Sequence, residues 1–406
     1  MSIDLADWID EVSGSNWVWF LKRLSANDTL ANGAHQAGPY IPKDFLFKVF
    51  PSLNSRKTPN PDVSFNISID SHNDIRTIRA VWYNNIYFDG TRNETRLTRF
   101  GGRQSPVLDP ENTGALAVFS FRLDGNVEAA SCHAWVCRDV FEETIIEERI
   151  GPVEPGKFII WTENKFFIEK SDTETRTDCW LKLEEIPSEW MYQFPTGEEI
   201  IRKSIEIGRN LIHGDPDDRL LKRRECEFEI FRSLEEAVEL PEIMKGFTTI
   251  DGFIGKAQTI LQRRKSRSGR SLELHLKGIF IEEGFLEEKN FSHQPESEPG
   301  KQPDFLFPSE SAYKNHNFPD DKLRMLAIKT TLKDRWRQVL NEADRIDSKH
   351  LLTLQEGVSL SQFREMQQAN VKLVVPARII PSYPQTVQPY LLNLDKFIKD
   401  IRLLGM

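Results

Sequence analysis

Residues 329–342 read KTTLKDRWRQVLNE, and the segments on either side decide the fold. RMLAIKTT (324–331) ahead of them is a short apolar run of strand length. Inside and just beyond them, Trp336, Val339, Leu340, Ala343 and Ile346 recur at helical spacing, which predicts a helix from Asp334 to about Asp347 lying on a sheet. HLLTLQEG (350–357) then reads as a strand, SLSQFREMQQA (359–369) as a helix and VKLVVP (371–376) as a strand. PDFLFPS (303–309) adds a strand upstream. Strands alternating with helices imply an α/β unit.

Further back, PTGEEIIRKSIEIGRNLI (195–212), DRLLKRRECEFEIFRSLEEAV (218–238) and RSLELHLKGIFIEEG (270–284) place apolar residues at helical spacing. Thr196 before Glu199 has the form of a capping box. EEKNFSHQPESEPGKQ (287–302) reads as a loop. SDTETRTD (171–178) is polar and aperiodic and reads as the start of a linker running to about Trp190. Residues 1 to about 170 are of another kind. SFNISID (64–70), TIRAVWYN (77–84), ALAVFSFRL (115–123), ASCHAWVCR (130–138) and KFIIWT (157–162) are strand-like, rich in β-branched and aromatic residues. Turn pairs such as Asp89-Gly90 and Asp124-Gly125 separate them. This half reads as a barrel or sandwich. The expected division is 1–172, a linker over 173–190, and 191–406, with no internal repeat.

A chain of 406 residues holds two or three domains. At 39% hydrophobic and 28% charged, it has the composition of a globular protein. No apolar run approaches the roughly 18 residues that span a bilayer, so no membrane partner is expected. MSIDLADWIDEVSG lacks a secretory pattern, and the expected location is the cytoplasm. Cys132, Cys137, Cys179 and Cys226 are too few and scattered for a disulfide framework or a zinc site. Cys132 and Cys137 read as core thiols.

The chemistry-bearing residues lie in the C-terminal half. Asp304 at a strand end, Lys329 on the next strand and Glu342 beyond it are the pieces of a metal-dependent phosphodiesterase. Carboxylates hold a divalent cation, and a lysine orients water and offsets phosphate charge. Many such nucleases carry an acid two residues before the lysine, on the same strand face. That position here is Ala327, which cannot bind metal, so the acid must come from elsewhere. Glu342 borders the apolar stripe of the expected helix and can reach back to the strand end. Glu273, between Leu272 and Leu274 on a mostly apolar helix, is a further acid, costly there unless paired or metal-bound. Its alternative is an ordinary helix-surface glutamate.

The formal net charge of −9 leaves any nucleic-acid contact to local basic clusters. There are three: Arg92, Arg96, Arg99 and Arg103; Lys222, Arg223 and Arg224; and Arg263, Arg264, Lys265, Arg267 and Arg270. Each alone could be a solvated face; beside the Asp–Lys–Glu trio they favour DNA. Arg92, Glu94 and Arg96 sit at period two and share one strand face, a pattern suited to reading guanine, cytosine and guanine along a groove. A solvated, salt-bridged strand is the alternative.

RRKSRSGRSLELHL, PDFLFPS, LAIKTTLKDRWRQVLNEAD and LLTLQEGVS, with KRLSANDT (22–29), HQAGPYIP (35–42) and DPENTGAL (109–116) in the other half, closely resemble the EcoRII restriction endonuclease family over nearly the whole chain. The resemblance implies a multidomain protein, α+β and α/β. Its N-terminal part would be a β-rich DNA-binding pseudobarrel holding a second, effector copy of the recognition site. Its C-terminal part would be a restriction-endonuclease-like α/β fold of the PD-(D/E)XK superfamily, a mixed central sheet flanked by helices. In the family's pattern Asp304, Lys329 and Glu342 match catalytic positions, with Asp304 and Glu342 on the metal, Glu273 an additional acid and Tyr313 near the site. Lys333, Asp334 and Arg335 match residues that read the outer C:G pairs. Arg224 and Phe228 match a pocket for central bases flipped out of the duplex, with Phe228 in place of an expected tyrosine. His35, Tyr40, Arg92, Glu94 and Arg96 match effector-DNA contacts. Gly90 departs from the pattern, which has a lysine there.

The function implied is a homodimeric, Mg2+-dependent type IIE restriction endonuclease. It would cut double-stranded DNA before the first C of CCWGG, be activated by a second site, and be paired with a methyltransferase of the same specificity. A DNA-binding regulator on an inactive nuclease fold, or a same-fold nuclease with a different central base, are the other readings.

Overall fold

The computed structural model describes residues 4–33, 38–123, 128–163, 178–211 and 214–404. The first half is a curled seven-stranded sheet built from β1 (Trp17–Arg23), β2 (Asp62–Ile69), β3 (Asp74–Tyr83), β4 (Glu94–Thr98), β5 (Leu116–Arg122), β6 (Ser131–Val136) and β7 (Phe158–Thr162), in the spatial order β4-β3-β2-β6-β5-β1-β7. All pairings are antiparallel except β2–β6, which is parallel. The curl buries both faces of the central strands. On β1, Val18 and Phe20 face a core shared with Phe45, Leu46, Val49 and Phe50, largely from helix α2 (Lys43–Val49). Trp19 and Leu21 face the other way, into a core with Trp8 of α1 (Leu5–Glu11) and Ile146 of α3 (Val140–Ile150). Double-sided burial gives near-continuous apolar runs, and β1 carries no alternation to mark it in sequence.

The second half holds five strands: β8 (Ser292–His293), β9 (Phe305–Phe307), β10 (Arg324–Ile328), β11 (Lys349–Leu352) and β12 (Val371–Val374), in the order β12-β11-β10-β9-β8. β10, β11 and β12 are parallel; β9 runs antiparallel to β10. This is the mixed central sheet expected. One face packs on Trp336, Val339, Phe363 and Met366, the last two from α9 (Leu360–Gln368). The other packs on Leu272, Leu276 and Phe280 and on the C-terminal helix α10 (Leu394–Leu403). Between them in the chain come α4 (Ser188–Tyr192), α5 (Gly197–Leu211), the long pair α6 (Pro216–Lys245) and α7 (Ile250–Glu282), and the short α8 (Glu310–Lys314). α6 starts on an Asp215 cap with Pro216 at its first position, a sequence-coded start.

Three expectations change. The helix over 334–347 is instead a tighter 3-10 helix, Lys333–Asn341. Glu342 leaves it in extended backbone and Ala343 turns with φ 49°. Ala343 and Ile346 still reach the core because the turn folds back onto the sheet. α7 begins at Ile250, well before Arg270, so the basic cluster lies inside a helix. Cys179 and Cys226 form a disulfide: the spacing looked scattered because the chain returns on itself. Cys132 and Cys137 are free and buried, as expected. Thr196 and Glu199 do form the reciprocal cap.

Residues at the end of the expected linker pack against the helices: Cys179, Leu181, Ile186 and Trp190 share a core with Ile230, Phe231 and Leu234 of α6. The two halves also touch. α3 packs on α7, the Ala26 amide donates to the Glu356 carbonyl at 2.8 Å, and the loop 151–156 lies against both α7 and the 355–357 turn. Gly357 (φ 110°) is required there, since a Cβ would stand 2.4 Å from that of Ala26. No helix among the described residues is long and apolar enough to cross a membrane.

Candidate active site

β9 and β10 pair so that Leu326 lies opposite Phe305. That register brings Asp304, just before β9, beside the end of β10, where Lys329 follows. The Ile328 amide donates to Asp304 Oδ2 at 2.6 Å, and the Lys329 amide is held by the Leu352 carbonyl at 3.0 Å. Glu342 arrives from the far end of the 3-10 helix. Burial pushes the Asp304 carboxyl up to about 6, with Glu273 adding to the rise and Lys329, the Ile328 amide and His293 opposing it. Burial likewise pushes Glu342 up to about 7; Asp304 adds to this, and Lys329 and Lys349 oppose it. Asp304, Lys329 and Glu342 thus share one partly dry pocket of charge. Carboxyls this perturbed, beside a lysine, make the cluster a candidate functional site.

Glu273 is 6% exposed on α7 and is bonded to His293 Nε2. The His293 ring lies tilted against Phe305, 5.1 Å between centroids. Sequence reading missed His293 because it lay in a stretch read as a loop. The alternation Phe291-Ser292-His293 beside PDFLF was the available signal.

A divalent cation fits. Glu342 Oε2 is buried without a hydrogen-bond partner, an expensive state for a carboxylate oxygen unless a cation completes it. Among the described residues no group of three acidic, His or Cys side chains forms a ready ligand cage. Hard cations that keep several waters need only one or two carboxylates, and Asp304 and Glu342 supply two.

The other candidates divide. The Tyr313 hydroxyl donates to Glu298 and accepts from the Arg345 amide at 3.1 Å. No hydrogen bond among the described residues links it to Asp304, Lys329 or Glu342, so it is not brought into the cluster. Lys333, Asp334 and Arg335 lie on the first turn of the 3-10 helix, Asp334 exposed and the other two half-buried. Lys333 donates to the Cys137 carbonyl of the first half. Arg224 is buried and paired with Glu154, 2.8 Å. Phe228, one turn on, lies under the Arg267 guanidinium, 5.1 Å from its centroid. Four of the five cations in the basic cluster of α7 are paired: Arg263 with Glu239, Arg264 with Glu235, Lys265 with Glu148, and Arg267 with Glu227 and Glu154.

In the first half, β4 and its approach gather Tyr40, Arg92, Glu94 and Arg96. Thr95 and Leu97 are buried while Glu94 and Arg96 are half-exposed, the alternation expected of one open face. Glu94 accepts from Arg92 Nε at 2.6 Å and from Arg96 Nε at 3.3 Å. Tyr40 bridges to Arg96. His35 lies outside the described residues. At Gly90 a Cβ would stand 2.7 Å from that of Asn85, so this chain has no room for the family's lysine without a shift of the loop.

Comparison with known proteins bears on both halves. The model of the EcoRII C terminal matches residues 231–398, and that of restriction endonuclease EcoRII, N-terminal, matches residues 13–165. The Type II restriction enzyme EcoRII of Escherichia coli is 43% identical over 399 residues, 97% of this chain and 96% of that protein. Among solved structures, metal-depleted Ecl18kI in complex with uncleaved DNA aligns at 19% identity over 52% of this chain and 80% of that one, TM-score 0.42. The UbaLAI restriction endonuclease B3 domain with cognate DNA aligns at 17% identity over 38% of this chain and 97% of that one, TM-score 0.27. Structural likenesses this weak add nothing to the whole-length match. By that match the chain belongs to the EcoRII family of type II restriction enzymes.

Proposed function

We propose that this type II restriction endonuclease is of the type IIE kind, hydrolysing both strands of CCWGG before the first C and activated by a second copy of the site. The observation that carries the cutting role is the convergence of Asp304, Lys329 and Glu342, with Glu342 Oε2 buried and unpartnered. Asp304 and Glu342 would hold Mg2+, which when bound supplies Lewis acidity and an activated water. Lys329 offsets charge on the scissile phosphate and orients the attacking water. Glu273, kept in place by His293, contributes negative charge behind Asp304. Tyr313 serves at one remove, fixing the Glu298–Arg345 region.

Recognition falls to neighbouring residues. Lys333 and Arg335 carry donors for the acceptors of guanine, and the exposed Asp334 carboxylate accepts from the cytosine amino group. Arg224 and Phe228 offer a flat cation and a ring for unstacked central bases. His35, Tyr40, Arg92, Glu94 and Arg96 form the effector site in a unit spanning 1–172. A linker of 173–190 joins it to the nuclease unit, 191–406. Two chains acting as a homodimer match the two strands of a two-fold site. A methyltransferase of the same specificity protects host DNA, and the cytoplasm is where both would act. Docking of the first unit on Lys333 supports autoinhibition relieved by effector DNA.

The test is incubation of supercoiled plasmid bearing CCWGG with the protein and Mg2+, followed by sequencing of the ends. Cuts before the first C support the assignment. Ends elsewhere replace the central base, and retardation of DNA without cutting makes the chain a binding regulator.

A further inference from the structure

The loop 151–156 carries one acid, Glu154, to the boundary between the two halves. One of its carboxylate oxygens accepts from Arg224 Nη2 at 2.8 Å. The other accepts from Arg267 Nη2 at 2.9 Å and from Ser268 Oγ at 3.1 Å. The nuclease half holds these donors in place by itself. Buried Glu227 accepts from Arg267 Nη1 at 3.2 Å and from the Ser271 hydroxyl, and Ser271 accepts from Arg224 Nη1 at 3.2 Å. Two guanidiniums against one permanent carboxylate leave the slot one positive charge in excess, and Glu154 neutralises it. Burial pushes the Glu154 carboxyl up, but Arg224 and Arg267 outweigh it and hold it below the usual range.

The presenting loop is braced from the barrel side. Arg23 donates to the Val153 carbonyl at 2.7 Å and pairs with Glu143 and Glu147. Movement of the barrel therefore carries Glu154 with it. Arg224 and Arg267 are only 6% and 9% exposed, so no outside ligand reaches their Nη2 edges while Glu154 is seated. Two buried guanidiniums with one counterion would be costly, and with the barrel seated Glu154 supplies the second anion.

We propose that Arg224, Arg267 and Ser268 form a binding slot for a backbone phosphate of the target duplex, and that Glu154 is its resident stand-in, which target DNA must displace. The inference rests on reading the C-terminal half as the DNA-cutting unit. It adds Arg267 and Ser268 to the DNA-contacting residues and makes Glu154 the specific catch between the halves. The flat face of Arg224 stays available to a base while its Nη2 edge takes the phosphate. DNA and the barrel then compete for one set of donors, and each ligand favours the arrangement it binds.

The test uses the full chain on plasmids with one and with three recognition sites, comparing wild type, Glu154→Gln, Glu154→Asp and Glu148→Gln. Glu154→Gln removes the charge and should raise the one-site cutting rate on the order of tenfold, leaving three-site cutting unchanged. Glu154→Asp keeps the charge but is too short to bridge both guanidiniums. It should give a smaller rise, and it serves if the glutamine chain does not fold. Glu148→Gln breaks a surface pair with Lys265 across the same boundary and should change nothing. An unchanged one-site rate in folded Glu154 variants overturns the proposal. If no protein cuts either plasmid, the nuclease reading falls, and metal-free titration with a site-bearing duplex decides the slot. Glu154→Gln should then hold a second duplex per chain where wild type holds one; equal stoichiometry overturns it.

Discussion

The Lys333 side chain donates a hydrogen bond to the main-chain carbonyl of Cys137, across the boundary between the nuclease half and the barrel. A side chain suited to a guanine is thereby held by the other half of its own molecule. A fragment without the barrel should cut one-site plasmid that the full chain cuts poorly. It should begin at Asp178 and not at Trp190, because Cys179, Leu181 and Ile186 pack on α6 and Cys179 is bonded to Cys226. Rates on one-site and three-site plasmids check this; a folded but inactive fragment would end the autoinhibition reading.

Activation should fail when the effector face is blunted. Arg92→Ala with Arg96→Ala removes both cations that flank Glu94. The full chain should then lose its response to added effector oligonucleotide, while Asp304, Lys329 and Glu342 remain intact. Initial rates with and without the oligonucleotide give the answer, and undiminished stimulation places the effector site elsewhere.

Asp304→Ala, Lys329→Ala and Glu342→Ala should each lower cutting by roughly 100-fold or more and spare sequence-specific binding. Single-turnover cleavage and gel shifts on the same duplex separate the two effects. Near-normal cutting by Glu342→Ala beside a dead Glu273→Ala would move the second metal acid to Glu273.

The raised Asp304 and Glu342 carboxyls fix the sign of a pH effect on the metal-free protein. Both folded-state values, about 6 and about 7, lie above the ordinary values of 3.8 and 4.5. The native state therefore binds protons that the unfolded chain has released. Stability from these groups is fully present below about pH 4 and is lost as pH rises to about 7. Glu342→Gln should accordingly stabilise the protein at pH 8 in EDTA by about 2 kcal/mol and have little effect at pH 4. Urea midpoints at the two pH values check this. A divalent cation should reverse the difference at pH 8, since it binds only the ionised pair.

Arg335→Ala should cost roughly 1–3 kcal/mol of discrimination at an outer C:G pair if its fork bonds a guanine. Cutting of duplexes with single substitutions at those pairs measures it. Equal loss on every duplex would instead make Arg335 a backbone contact.

Much of this was legible in the sequence, for physical reasons that differ by element. Strands with one open face, such as β4, alternate visibly; β1, buried on both faces, does not. Ala327 left that strand face without an acid, and Glu342, expected within reach of the strand end, is coupled there to Asp304 and Lys329. The helix expected there failed because the chain tightens to 3-10 and turns at Ala343 with positive φ, a change that apolar spacing does not record. The pairing of the basic run on α7 was hidden in the sequence because its partners are remote: Glu227 is 40 residues from Arg267 and Glu154 is 113. Charge pairing across such spans is a tertiary fact. The same holds for Tyr313, whose engagement with Glu298 and Arg345 has no local signature.

Helix α7 carries Arg267, which grips Glu154, and, less than two turns on, Glu273, which is bonded to His293 behind Asp304. Six residues of α-helix measure about 9 Å. The station that senses the barrel and the station that borders the carboxylates are thus fixed points on one stiff rod. Under the proposed restraint of cutting, no relay through the sheet is needed: the rod that meets Glu154 of the barrel also carries the acid behind Asp304.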